Sequence, residues 1–193
     1  MKITARSAVL STAAICSLAA FAGAGGLAAG DTPYDHTHDA FLDGWPERSR
    51  LVVQATIEKY GLPNRMNRYE LVWYDNAPWR RTVVHRESWS GFLGSRDGAV
   101  VEQTIGYRVP DDKKAALKRF GKRISVDEAA AELTSRAETE NMNFLALNLA
   151  GEIAGGTRTV KDARDFYAKT VELSKAGKSS AYLEGFVLPV GVE

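Results

Sequence analysis

The chain has 193 residues, with 25 lysines and arginines, 24 aspartates and glutamates and one cysteine. Hydrophobic residues at 45% and charged residues at 25% are ordinary globular values, which exclude a disordered chain, a collagen-like repeat and a disulfide scaffold. The net charge of +1 gives no general attraction to nucleic acid, because that attraction depends on clustered cations. We therefore expect no nucleic-acid partner.

Residues 1–30 differ from the rest of the chain. Lys2 and Arg6 precede an uncharged run that is dominated by Ala, Leu, Val and Gly. This pattern is typical of a secretory signal peptide, and small residues place its cleavage between about 24 and 31. Serines and glycines interrupt the run, whereas a membrane anchor needs roughly 20 strongly apolar residues. We therefore expect a periplasmic or secreted protein, which loses the only cysteine with the signal peptide.

An irregular arm follows at residues 31–45, where turn-forming residues, acids and isolated aromatics show no periodicity. His36 and His38 form an H-x-H pair in this arm, but a tetrahedral metal site needs a third and a fourth ligand fixed elsewhere. We expect neither a metal nor a cofactor. Residues 46–193 contain no internal repeat and no low-complexity linker, so we predict a single domain there.

The first half of that domain combines one helix with three strands. Residues 46–60 have helical periodicity and are followed by a glycine and a proline, a usual helix end. Residues 69–75 and 79–87 alternate apolar and polar side chains around a short loop, which predicts a β-hairpin. Residues 99–109 alternate in the same way and predict a third antiparallel strand.

The second half is mainly helical. Residues 111–120 and 139–154 predict amphipathic helices, the first capped by one of the two aspartates at its start, and another helix begins at Thr159. The segment 123–137 has the capping-box spacing of a helix, while its apolar residues also fit two short strands. Residues 182–190 fit an edge strand or a cover over the core. We predict an α+β fold in which an antiparallel sheet of three to five strands packs against three or four helices.

Several segments of this chain resemble a family of uncharacterised secreted bacterial proteins. The resemblance covers most of residues 46–175 and is carried by LVWYDNAPWRRTVVHRE, VEQTIGYRVP, and RAETENMNFLALNLAGEI followed by RTVKDARDFYA. It implies a compact export-targeted domain and no known activity. In those relatives the stretch aligned with 123–137 is similar to a strand pair with glycine at its turn, where this chain has Ala130 and Ala131. Residues 50–87 are also similar to the small outer-membrane assembly lipoproteins of the BamE/SmpA type.

The hairpin carries the residues that we assign to binding. Trp79 directly follows a proline at the hairpin loop, where a side chain has few neighbours, so we expect it to be exposed. Strand alternation places Arg81 and His85 on the same face as Trp79. We therefore predict an exported, non-enzymatic binding or envelope-associated protein, whose partner is an envelope protein or a small ligand. Its binding residues are Trp79, Arg81 and His85.

The alternative is a periplasmic hydrolase that uses Glu132, Arg136 and His85. Glu132 would supply a carboxylate and His85 a general base. No nucleophile motif accompanies His85, however, and the competing interpretation pairs it with Glu102 or another acid across the strands. Asn148 lies in an otherwise apolar helix, where an amide more often bonds a neighbouring loop than a ligand.

The most basic stretch of the chain includes Lys113, Lys114, Lys118 and Arg119. Such a cluster can contact anionic lipid headgroups, so membrane contact is one interpretation. A solvated helix face explains the cluster equally well, and we favour it.

Overall fold

A computed structural model describes residues 41–89 and 98–187 of the chain. Its elements confirm the α+β class, with an antiparallel sheet and helices packed against it. The sheet has six strands within the described residues, one more than the upper end of the predicted range. The predicted signal peptide and the histidine pair of the arm lie outside the described residues.

The elements agree closely with the predicted segments, apart from a short first strand that no pattern indicated. In chain order they are α1 (Glu47–Tyr60), β1 (Arg65–Asn67), β2 (Glu70–Tyr74), β3 (Arg81–Trp89), β4 (Ala99–Gly106), α2 (Asp111–Phe120), β5 (Ile124–Asp127), β6 (Glu132–Ala137), α3 (Glu140–Ala154), α4 (Val160–Lys175) and α5 (Ala181–Glu184).

The strands are ordered β1-β2-β3-β4-β6-β5, and every neighbouring pair is antiparallel. β1 to β4 form a meander. α2 then carries the chain to β5 at the far edge, and β6 returns between β5 and β4. This insertion of β6 beside β4 brings two polar strands from distant parts of the sequence together.

The register of the strands divides their side chains between two faces, because residues paired across neighbouring strands point the same way. One face is apolar and packs against the helices; its buried residues include Leu71, Trp73, Val84, Val101, Ile105 and Leu133. We call the other face the open face, since no helix of residues 41–89 and 98–187 packs on it. The open face carries Glu70, Arg81, His85, Glu102 and Arg136.

Two apolar clusters hold the helices on the sheet. α1 contributes Val53 to a cluster with Leu71 and Trp73 of β2. α2 and α3 contribute Phe120 and Leu145 to a larger cluster over β4, β5 and β6. Burying such side chains stabilises the fold by about 1.5–3 kcal/mol each.

The end of the predicted arm joins the smaller cluster. Leu42 and Trp45 are buried there, and the Trp45 amide donates to the Leu42 carbonyl at 3.0 Å in a turn before α1. The packed part of the chain therefore extends at least to Leu42, a few residues before the predicted domain boundary.

One of two predicted helix caps is present in the structure, and the other is not. Thr159 caps α4 by accepting the Asp162 amide at 3.1 Å, as predicted. The predicted aspartate cap of α2 is wrong, because Pro110 occupies the cap position and no side chain accepts there. The Pro110 carbonyl accepts the Lys113 amide at 2.9 Å, and this backbone bond begins the first turn.

Residues 182–187 cover the core, one of the two placements predicted for 182–190, and residues 188–190 lie outside the described residues. Asn148 holds the covering segment, because its Nδ2 donates to the Gly185 carbonyl at 2.8 Å and its Oδ1 accepts the Val187 amide at 3.0 Å. Leu183 of α5 is buried beside this contact. The predicted structural role of Asn148 is confirmed.

The ambiguous segment 123–137 is a β-hairpin. Asp127 directs the turn, because its Oδ1 accepts the Ala130 amide at 3.0 Å, a local bond that competes with a helix. Ala131 then adopts a φ of 50°, in the left-handed region that favours glycine. The hairpin forms despite this cost because Leu133 is buried in the core.

Replacing Ala131 by glycine is expected to stabilise the protein by up to about 1 kcal/mol. The left-handed conformation costs an alanine about 1–2 kcal/mol, and the extra freedom of an unfolded glycine cancels part of the gain. Urea unfolding measures the change. Ala130→Gly is the matched control, since Ala130 has no positive φ and should lose stability. Equal losses in both variants would contradict the expected strain at Ala131.

Candidate functional site

The three predicted binding residues lie on different faces of the sheet. Trp79 is only 1% exposed and packs on the helix side, with ring centroids 4.6 Å from Phe144 and 5.2 Å from Phe186. Its predicted exposure is therefore wrong. The Trp79 amide donates to the Asn76 carbonyl at 3.2 Å in a turn before β3, so strand alternation does not reach this residue. Arg81, within β3, lies on the open face as predicted.

His85 lies on the open face between two carboxylates. Its Nδ1 is 3.8 Å from Glu70 Oε2, and its Nε2 is 3.8 Å from Glu102 Oε2. Both distances are too long for a direct hydrogen bond but short enough for ion pairs once the imidazole is protonated. The interpretation that pairs His85 with Glu102 across the strands is confirmed.

Glu102 is the centre of the charged cluster on the open face. Arg136 Nε donates to Glu102 Oε2, and Arg81 Nη2 lies 3.7 Å from Glu102 Oε1. Arg81 also donates to Thr104 Oγ1 at 3.3 Å. Burial opposes ionisation of Glu102, but His85 and Arg136 outweigh it, so the pKa of Glu102 is lowered. The carboxylate is therefore charged at neutral pH.

Arginines stand further into solvent on this face than the carboxylates that they neighbour. The carboxylate side chains of Glu70, Glu102 and Glu132 are 11–27% exposed. The four arginine side chains of the face are 28–57% exposed. These guanidinium groups, which belong to Arg65, Arg80, Arg81 and Arg136, are therefore accessible to an approaching partner.

A missing side chain lets one of these arginines lie flat on the sheet. Gly106 of β4 leaves room for Arg80, whose guanidinium would lie 2.7 Å from a Cβ at that position. Arg80 Nη1 is 4.0 Å from Glu132 Oε1 and donates to the Ala130 carbonyl at 3.3 Å. The glycine therefore extends the cationic surface toward the β5–β6 turn.

The residues of the hydrolase alternative share the open face without forming one group. Arg136 binds Glu102 beside His85, whereas Glu132 lies four positions earlier on β6, next to Arg80. Four residues of strand span about 13 Å. The hydrolase stays a prediction, and the geometry of these residues does not favour it.

A second polar cluster, which we call the Glu140 network, lies on the helix side of the sheet. Glu140 begins α3, and its Oε1 accepts hydrogen bonds from Tyr60 Oη and, at 2.6 Å, from Trp79 Nε1. Its Oε2 accepts from Lys59 Nζ at 2.5 Å. One carboxylate thus ties α1, the β2–β3 turn and α3 together.

The donors around Glu140 set its protonation. Burial opposes the charge, but hydrogen bonds from Lys59, Tyr60 and Trp79 outweigh burial and lower the pKa of Glu140. Burial, with the adjacent carboxylate, raises the pKa of Tyr60 to about 12. The network is therefore an ionised carboxylate held by neutral and cationic donors.

The Glu140 network continues into the core through amides. Gln103 Nε2 donates to Glu140 Oε1 at 3.3 Å, and Asn143 Nδ2 donates to Gln103 Oε1 at 2.9 Å and to the Val101 carbonyl at 3.2 Å. Both amides are buried. These bonds join α3 to the middle of the sheet, which suits a structural role.

Sequence reasoning found the open-face acid Glu102 but missed the importance of Glu140. Alternation along β4 placed Glu102 opposite the apolar side chains, which was the signal for its pairing with His85. Glu140 follows the Thr139 cap of α3. Acids are common at helix starts, so the sequence did not indicate that Glu140 has several hydrogen-bond partners.

Two of the four cations in the basic stretch of α2, Lys113 and Lys114, are paired locally. Lys114 Nζ lies 2.5 Å from Asp111 Oδ1 and 2.6 Å from Glu128 Oε1, while Lys118 and Arg119 are exposed. This arrangement fits the favoured solvated helix face. Contact of Lys113, Lys114, Lys118 and Arg119 with a membrane stays a prediction.

Residues 41–89 and 98–187 contain neither a group of metal-ligating side chains nor a helix that could span a membrane. In that part of the chain, no three His, Cys, Asp or Glu side chains are grouped so that they could hold a metal ion. Nor does any helix there have the length and apolar character needed to cross a membrane.

Comparisons with protein-family models, curated proteins and solved structures find no match for this chain. The functional conclusion therefore rests on the geometry of its own residues.

Proposed function

We propose that this chain is an exported, non-enzymatic binding protein that docks an acidic segment of an envelope protein on the open face of its sheet. The observation that carries this proposal is the greater exposure of the arginines than of the neighbouring carboxylates. Arg81 and His85 are retained as binding residues. Trp79 is not, because it is buried under α3.

The chemistry of the face favours a protein partner. Guanidinium groups bind carboxylates in a planar, two-pronged geometry, which suits aspartate and glutamate side chains. Tyr74, paired across the sheet with Arg81, is 46% exposed and adds an aromatic surface. Tyrosine and arginine are enriched at protein interfaces.

The less exposed carboxylates keep the arginines in place. Glu102 holds Arg81 and Arg136, and Glu70 accepts from Arg65 Nη2 at 2.8 Å. Because these contacts restrict the long side chains before a partner arrives, less conformational entropy is lost on docking. His85, between the two carboxylates, reduces their mutual repulsion when it is protonated.

The test uses a fluorescent oligoglutamate peptide as the probe and an oligoglutamine peptide as its neutral counterpart. We expect the acidic peptide alone to bind, and binding should weaken as salt rises, since exposed charges are screened within about 10 Å at 0.1 M salt. The double variant Arg65→Gln, Arg81→Gln should weaken binding about tenfold or more. Fluorescence anisotropy measures the affinity.

The control is Arg50→Gln, an exposed arginine on α1 away from the open face. It removes the same kind of charge and should leave the affinity unchanged. Equal weakening by the control, or equal binding of the neutral peptide, would show that only net charge or non-specific adhesion is measured and would refute the proposal.

A further inference from the structure

A groove of about 450 Å³ lies at one end of the sheet, away from the centre of the open face. The chain just after β4, the first turn of α2 and the turn between β5 and β6 form its walls. Its volume falls within the range of about 300–1,000 Å³ that small-molecule sites occupy. The groove is therefore large enough to hold a small molecule.

The cations of the groove differ in what they already bind. Two carboxylates, Asp111 and Glu128, engage the ammonium group of Lys114 at 2.5 and 2.6 Å. Arg108, which also lines the groove, is exposed and makes no ion pair within the described part of the chain. Arg108 is thus the guanidinium that can bind an anionic group of a ligand.

A carboxylate with one spare oxygen lies across the groove. Asp127 uses Oδ1 to accept the Ala130 amide, and its Oδ2 accepts no hydrogen bond from the described residues. Arg108 follows β4 and Asp127 ends β5, with β6 between these strands. Asp127 aligns through Glu132 with Gly106, two residues before Arg108. Two strand spacings and two residues of strand therefore separate the two positions by about 12 Å. The groove therefore presents opposite charges at its two sides.

Four of the nine residues that line the groove are apolar. Val109, Pro110 and Val126 line it, and Ala131 completes it at the turn. Ala131 is one of two non-glycine residues with positive φ among those described. Strained backbone of this kind is concentrated at binding sites, which is an observation independent of the charges.

We propose that this groove binds a short unblocked peptide of about dipeptide length. Arg108 binds the terminal carboxylate of the peptide, and Asp127 binds its terminal ammonium group. The apolar side chains of the peptide lie against Pro110 and Val126. This site shares no residue with the open-face cluster around Glu102, so either site can exist without the other.

The test titrates the full purified chain with L-alanyl-L-leucine and follows backbone amide signals by NMR. Shifts should centre on the walls of the groove. Arg108→Gln should weaken binding about tenfold or more, because a hydrogen bond to a charged group is lost. Asp127→Asn should do the same while keeping the Oδ1 acceptor that holds the turn. Arg119→Gln, an exposed arginine on the same helix as Lys114, is the matched control and should have no effect.

Blocked peptides identify which end each residue recognises. L-alanyl-L-leucinamide should bind the unaltered protein about tenfold more weakly, and Arg108→Gln should not weaken it further. N-acetyl-L-alanyl-L-leucine should also bind the unaltered protein about tenfold more weakly, and Asp127→Asn should not weaken its binding further. Absence of binding by the free dipeptide overturns the proposal. So does equal binding of the free and N-acetylated peptides, which would define a simple carboxylate site.

Discussion

Trp79→Ala is expected to destabilise the protein by about 3–5 kcal/mol, the usual cost of removing a large aromatic side chain from a core. Trp79 is 1% exposed and packs against Phe144 and Phe186. The substitution also removes the indole donor that serves Glu140 Oε1 at 2.6 Å. Because many domains have a total stability of only about 5–15 kcal/mol, we expect the variant to be partly unfolded at room temperature.

The measurement is urea unfolding followed by circular dichroism. Tyr74→Ala is the matched control, because Tyr74 is an aromatic residue of the same hairpin that is exposed on the open face. It should cost less than about 1 kcal/mol. Trp79→Phe should fall between the two, since it keeps most of the ring packing and loses the hydrogen bond. Equal stability of Trp79→Ala and Tyr74→Ala would contradict the core position of Trp79.

This result also separates stability from binding. A loss of partner binding by Trp79→Ala would report unfolding, whereas a loss by Arg81→Gln would report the open face itself. Arg81 lies 3.7 Å from Glu102 Oε1, and Arg136 still donates to this carboxylate when Arg81 is replaced. Arg81→Gln should therefore fold like the unaltered protein.

Local patterns predicted most of the elements. α1 and α3 were predicted within about two residues because helical hydrogen bonds and caps are formed by near neighbours. The hairpin of β2 and β3 was predicted for the same reason, since its two strands are joined by a short turn. The class of the fold followed from these elements.

Non-local relations were beyond the sequence patterns. Alternation along a strand predicts which side chains share a face but not which strands lie next to it. The sequence pattern therefore did not predict that β6 lies beside β4. Trp79 was assigned to the wrong face because it belongs to a turn, where alternation fails. The pattern of residues 123–137 is ambiguous because Ala131 occupies a position where glycine would indicate a turn.

Glu140→Gln is expected to destabilise the protein by about 2–3 kcal/mol at neutral pH. Glutamine has nearly the same shape, so packing is preserved and the loss comes from the charge. The carboxylate accepts from Lys59, Tyr60 and Trp79, and hydrogen bonds to charged groups are worth about 1.5–3 kcal/mol. Glutamine also places an amide donor where the network supplies only donors.

The control for this variant is Glu172→Gln on α4. Glu172 is exposed, so its replacement removes one helical carboxylate from solvent and should change stability by less than about 0.5 kcal/mol. Urea unfolding at neutral pH compares the two. Equal stability of both variants would contradict a role of Glu140 in joining α1 and α3.

The pH dependence of the stability lost in Glu140→Gln gives a second, independent check on the role of the Glu140 charge. The pKa of Glu140 is lowered in the folded protein, so the unfolded chain binds its proton more tightly. The stabilisation is therefore fully present above the unfolded pKa of about 4.3 and is lost as pH falls through the folded pKa. The difference in free energy of unfolding between the unaltered protein and Glu140→Gln should stay constant from neutral pH down to about pH 5. Below that pH the difference should become smaller. A gap that persists unchanged in acid would assign the loss to packing, because a protonated carboxyl no longer offers the charge that the donors bind.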